Sequence, residues 1–146
     1  MIARACLVLI LWLAGCAAPP DFLDISGTGY RYQDFDDKWV IVNYWATWCG
    51  PCIKEIPELN QLAREHGDSL VVLGANFDEP EGEEQKQQAV KMKIEFPVYA
   101  EEPAAALGIA KPEVLPTTFV FAPGLKLKAT LVGPQTVASL LAATSE

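Results

Sequence analysis

Histidine is scarce: His66 is the only one among 146 residues. Thirteen residues separate it from Cys52, a spacing found in zinc sites, but a structural zinc takes four ligands and no second histidine is present to complete the set. No metal is therefore expected, and His66, beside Gly67, reads as a surface or capping residue at a helix end. Positive charge is also in short supply. Eleven Lys and Arg stand against 19 Asp and Glu, for a net charge of −8, which argues against nucleic acid as a partner. Long hydrophobic runs are missing too. The apolar run 5–14 falls short of the roughly 20 residues that a membrane-spanning helix needs. The chain also lacks internal repeats, a second domain and any flavin or nicotinamide motif, so no cofactor is expected.

The short run at the start has a different meaning. Residues 1–4 carry one basic side chain, Arg4, and the apolar stretch behind it has the layout of a targeting segment. The following Leu13-Ala14-Gly15-Cys16 resembles the bacterial lipoprotein cleavage box. The resemblance implies loss of residues 1–15 as a signal peptide and acylation of Cys16, giving a multi-chain lipid anchor. An ordinary secretory signal and a short uncleaved anchor are the other readings. On the lipoprotein reading Cys6 leaves with the signal and Cys16 is capped. Only Cys49 and Cys52 of the four cysteines then remain as thiols.

Residues 16–29 contain Pro19, Pro20, Gly27 and Gly29 without a sustained period and read as the lipidated cysteine followed by a tether. The remainder, 30–146, is long enough for one domain with its own core. Residues 39–46 are rich in β-branched and aromatic side chains, as expected of a central strand covered on both faces. A helix follows over 51–66, with Ile53, Ile56, Leu59, Leu62 and Ala63 on one stripe and a kink expected at Pro57. A buried strand is expected over 69–76, a more exposed helix over 83–93, a short strand over 96–100 and one helical turn over 103–107. Strands 117–121 and 126–132 form a hairpin, and a helix over 136–143 closes the chain. This order predicts an α/β fold with a central mixed sheet and helices on both faces.

The chemistry lies in Trp48-Cys49-Gly50-Pro51-Cys52, between the first long strand and its helix. Two cysteines three residues apart in a first helical turn meet on one side, within the narrow range a disulfide requires. Unpaired helix N–H groups and the positive end of the helix dipole favour a thiolate on Cys49. Such a thiolate attacks another disulfide through a mixed-disulfide intermediate, with Cys52, more shielded, as the resolving thiol.

The Trp-Cys-Gly-Pro-Cys run after an apolar strand resembles thioredoxin. Its flanks, Asn43-Tyr44-Trp45-Ala46-Thr47 and Ile53-Lys54-Glu55-Ile56-Pro57-Glu58-Leu59, resemble the TlpA/ResA branch of membrane-tethered bacterial thioredoxin-like proteins. So do Leu115-Pro116-Thr117-Thr118-Phe119-Val120 and Val132-Gly133, and the match covers about residues 30–143. The resemblance implies a thioredoxin-like fold and a cis-proline at Pro116 facing the cysteines, where a trans loop proline is the reading on physics alone. It implies that the backbone of Leu115 meets an incoming strand, and that Trp48, Gly50 and Pro51 border the substrate. Asn43 stands where thioredoxin has a buried acid. Glu55 matches a glutamate used near the thiols, and its local alternative is a solvated helix residue beside Lys54. Trp45 either frames the thiols or packs in the core. The implied activity is extracytoplasmic reduction of disulfides in exported proteins, apocytochrome c among them, with electrons from a membrane thiol carrier. An oxidase or isomerase using the same pair, or a redox-inactive binding lipoprotein, are the alternatives.

Overall fold

The computed structural model describes residues 18–145; the signal segment 1–15 and Cys16 lie outside them. The strand expected over 39–46 is β3 (Trp39–Trp45), every residue of which after Trp39 is buried. Its alternation divides the core. Ile41 and Trp45 pack with Ile56, Leu59 and Leu62 of α1 (Gly50–His66) and with Leu140 of α4 (Val137–Ala143). Val40, Val42 and Tyr44 face the opposite way, against Phe35, Tyr99, Phe119 and Phe121. Strand β4 (Leu70–Asn76) runs parallel to β3, as the intervening helix requires. On the other side of β3 lies β5 (Thr117–Ala122), antiparallel, and beyond it β6 (Lys126–Val132), giving the order β4-β3-β5-β6.

Helix α1 runs unbroken through Pro57. Helix α2 (Gly82–Lys91) ends with Met92 as its C-cap, followed by Lys93 at φ 58°. The short α3 (Ala104–Leu107) stops at Gly108, whose φ of 66° suits a residue without a Cβ. At α4, Thr136 and Ser139 cap each other reciprocally.

Two expectations are corrected. Residues 96–100 make only two isolated bridges, Val98 to Gly74 and Tyr99 to Asp24. Pro97 supplies a carbonyl to Gly74 but has no N–H to continue a ladder. The stretch read as a tether through residue 29 is largely folded. Strands β1 (Phe22–Leu23) and β2 (Gly29–Tyr30) pair as a hairpin, whose turn is held by Asp24 Oδ1 accepting from the Ser26 and Thr28 amides. Phe22 packs its ring on Tyr30, Tyr32 and Tyr99, closing the sheet face away from α1. Strands of two residues carry no periodicity, so the sequence pattern misses them. The Asp21 amide adds a bond to the Tyr30 carbonyl, extending the pairing by one residue.

Candidate active site

Strand β3 ends against the start of α1, and the turn between them presents the redox pair. Cys49 is the N-cap of α1, in extended backbone, and its sulfur accepts from the Cys52 amide at 3.2 Å. Gly50 and Pro51 open the first turn, where a proline loses no helical hydrogen bond. Cys49 and Cys52 are joined as a disulfide, their Cα atoms 5.3 Å apart. Cys52 is fully buried whereas Cys49 retains 4% exposure, so the outer sulfur is the one an incoming group meets.

Glu55, one turn beyond Cys52, is buried rather than solvated, with 1% exposure. Asn43 of β3 and Thr118 of β5 are register partners, so their side chains leave the sheet on the same face, toward α1. Asn43 Nδ2 donates to Glu55 Oε1 and to Thr118 Oγ1, the latter at 2.9 Å. Glu55 Oε2 accepts from the Gln135 amide at 2.8 Å. Burial pushes the carboxyl pKa up to about 7, against the pull of the two hydrogen bonds from Gln135 and Asn43, which favour the charged form. Asn43 Oδ1 is buried without a partner.

The Leu115–Pro116 peptide is cis. Thr117 pairs with Tyr44, which places Pro116 at the end of β3 from which the redox loop departs. Its carbonyl accepts from Gly133, and Leu115 packs against the cluster holding both cysteines. The two tryptophans part ways. Trp45 is wholly buried core, whereas Trp48 is 64% exposed, its Nε1 donating to Asp78 at 2.9 Å and its ring set edge-on against Phe77.

Sequence reasoning missed the support behind that rim. Lys111, in the loop 108–114, donates to the Phe77 carbonyl at 2.7 Å and lies over its ring. It also pairs with Glu79 and, at 3.8 Å, with Glu102. A basic residue in a loop between acidic segments was the only local signal. Nothing local marked Thr118 or the Gln135 amide as partners of Glu55. Cys49, Cys52, Trp48, Gly50, Pro51, Glu55, Leu115 and Pro116 are gathered at one end of the sheet; Cys16 lies outside the described residues.

A comparison with family models matches residues 15–130 to the AhpC/TSA family. The chain belongs to that family. Among curated relatives, the thiol-disulfide oxidoreductase ResA of Geobacillus thermodenitrificans is 32% identical over 120 residues, covering 80% of this chain and 68% of that protein. The thioredoxin-like protein YneN of Bacillus subtilis is 40% identical over 72 residues, covering 48% of this chain and 42% of YneN. Solved structures share the fold. StoA from Bacillus subtilis superposes with a TM-score of 0.69 at 21% identity, over 85% of this chain and 94% of StoA. A DsbF homologue from Corynebacterium diphtheriae gives 0.71 at 25% identity, over 92% and 89%. With the Cys49–Cys52 pair in place, this AhpC/TSA-family chain is a thiol–disulfide oxidoreductase with a thioredoxin-like fold.

Proposed function

We propose that the protein is a lipid-anchored, extracytoplasmic reductase of disulfides in exported proteins. The observation that carries this reading is the Cys49–Cys52 pair at a helix N-terminus, with a buried acid of raised pKa one turn behind it. In the dithiol form, the Cys49 thiolate attacks one sulfur of a substrate disulfide and displaces the other as a thiolate. Cys52 then attacks Cys49 Sγ, its proton passes to Glu55, and the substrate's second sulfur leaves. Two electrons reach the substrate, and the protein is left as the disulfide seen here.

A Glu55 carboxyl titrating near neutrality is available in both states, as a proton relay requires. Asn43 suits either one: Nδ2 donates to the carboxylate, and the amide turned over offers Oδ1 to the protonated acid. Trp48, Gly50 and Pro51 border the incoming segment, and the Leu115 backbone beside Pro116 pairs with it. Reduction of the spent disulfide needs an external dithiol, and a membrane thiol carrier fits an anchored enzyme. Apocytochrome c is the substrate suggested by resemblance to the TlpA/ResA branch. If Cys16 carries the lipid, four residues, 17–20, separate it from the folded hairpin. At ~3.5 Å each they reach only about 14 Å, so the domain works close to the membrane surface. Among the described residues no helix is long and apolar enough to cross a membrane.

Equilibration against glutathione or dithiothreitol tests the direction. A potential near thioredoxin's, at about −270 mV, is expected of a reductase; one near DsbA's, about −120 mV, overturns the reading in favour of an oxidase.

A further inference from the structure

The cleft between α1 and the end of α2 takes no part in the redox geometry, yet it begins beside it. Cys49, Ile53, Pro57, Asn60 and Arg64 recur every three or four residues and so form one stripe along α1. Ile53 is 51% exposed, and helical side chains lean toward the N-terminus, here toward Cys49. Beyond it Ile56, Pro57 and Met92 floor a cleft of about 410 Å³.

The rim of this cleft is basic on an acidic protein. Arg64 pairs with Glu95, also on the rim, but Lys91 and Lys93 have no carboxylate within 4 Å among the described residues. The lip is held in place rather than loose. Asn60 donates from Nδ2 to the Lys93 carbonyl at 2.8 Å and accepts the Glu95 amide at 3.0 Å. A net charge of −8 repels an acidic partner over most of the surface. Here two unpaired cations and an apolar floor offer the reverse, on the stripe that leads to Cys49.

We infer that this cleft docks an acidic, apolar-containing segment of the protein whose cysteines exchange with Cys49. At ~1.5 Å per residue, the stripe from Cys49 to Arg64 is about 22 Å long, which matches roughly six or seven residues of extended chain. The inference rests on thiol–disulfide exchange at Cys49 but not on its direction.

The test uses two synthetic peptides with the same cysteine pair, one continued by Asp, Glu and Leu and the other by Asn, Gln and Leu. Exchange is followed by acid quench and chromatography. Both reduced protein with peptide disulfide and oxidised protein with peptide dithiol are run, so a rate is read whichever way equilibrium lies. At low salt the acidic peptide is expected to exchange about tenfold faster than the neutral one. High salt and the neutralising pair Lys91→Gln with Lys93→Asn should each abolish that preference; asparagine tolerates the left-handed backbone at 93. Equal rates for the two peptides with the wild-type protein overturn the inference, as does a preference that survives the substitutions. Binding to anionic lipid vesicles through Lys91 and Lys93, with no peptide preference, also overturns it, in favour of a membrane surface. Failure of the reductase reading shows up separately, as an equilibrium lying against reduction of both peptides.

Discussion

Replacing Glu55 by glutamine isolates what it costs to bury this acid. The carboxyl is 1% exposed, and its folded pKa is raised from the ordinary 4.5 to about 7. At ~1.36 kcal/mol per pKa unit, that difference amounts to about 3 kcal/mol. The sign follows from proton binding. Between pH 4.5 and 7 the folded state holds a proton that the unfolded chain has released, so stability falls as pH rises. The contribution of the acid is fully present below about pH 4.5 and lost as pH passes through about 7. Glutamine has the same shape and does not titrate. Urea unfolding of both oxidised proteins, from about pH 4 to pH 8.5, should therefore show wild type losing about 3 kcal/mol relative to Glu55→Gln. Taking the difference cancels the other titrating groups. The competing effect is the pair of donors on the carboxylate, Asn43 Nδ2 and the Gln135 amide, which favour the charged form. A flat difference would show that those donors cancel burial, and one that grows in favour of wild type with pH that they outweigh it; either would refute the argument.

Two further outcomes follow from the site. Cys52→Ser should leave Cys49 able to attack but unable to be resolved, so a mixed disulfide with a substrate protein accumulates and is seen as a mass shift on non-reducing gels; Cys49→Ser should trap none. Lys111→Met removes the donor to the Phe77 carbonyl and the partner of Glu79 and Glu102. Because Lys111 is about one-third exposed, solvent screening tempers the loss to about 1 kcal/mol in urea unfolding, and an unchanged midpoint would show that the clamp contributes nothing.

The elements built on strong local patterns were legible to within a residue or two. A run rich in β-branched and aromatic residues marks β3, a single apolar stripe marks α1, and Ala122-Pro123-Gly124-Leu125 marks the turn that joins β5 to β6. The tandem Cys49–Cys52 pair at a helix start belongs to the same class, because residues three apart in a helix meet whatever else the chain does. These follow from the sequence alone.

What depended on distant chain did not. Whether Glu55 is a solvated neighbour of Lys54 or a buried acid is decided by Asn43, Thr118 and the Gln135 amide, which arrive from separate elements. The hairpin of Phe22–Leu23 with Gly29–Tyr30 exists because Tyr99 and Tyr32 receive the Phe22 ring, not because its own residues repeat. Trp45 and Trp48 lie three residues apart, yet one is core and the other rim. Local chemistry thus chose the elements and placed the two sulfurs. Burial, and with it the protonation of Glu55 and the shape around the thiols, is set by every segment packed against a group, and only the folded chain brings those segments together.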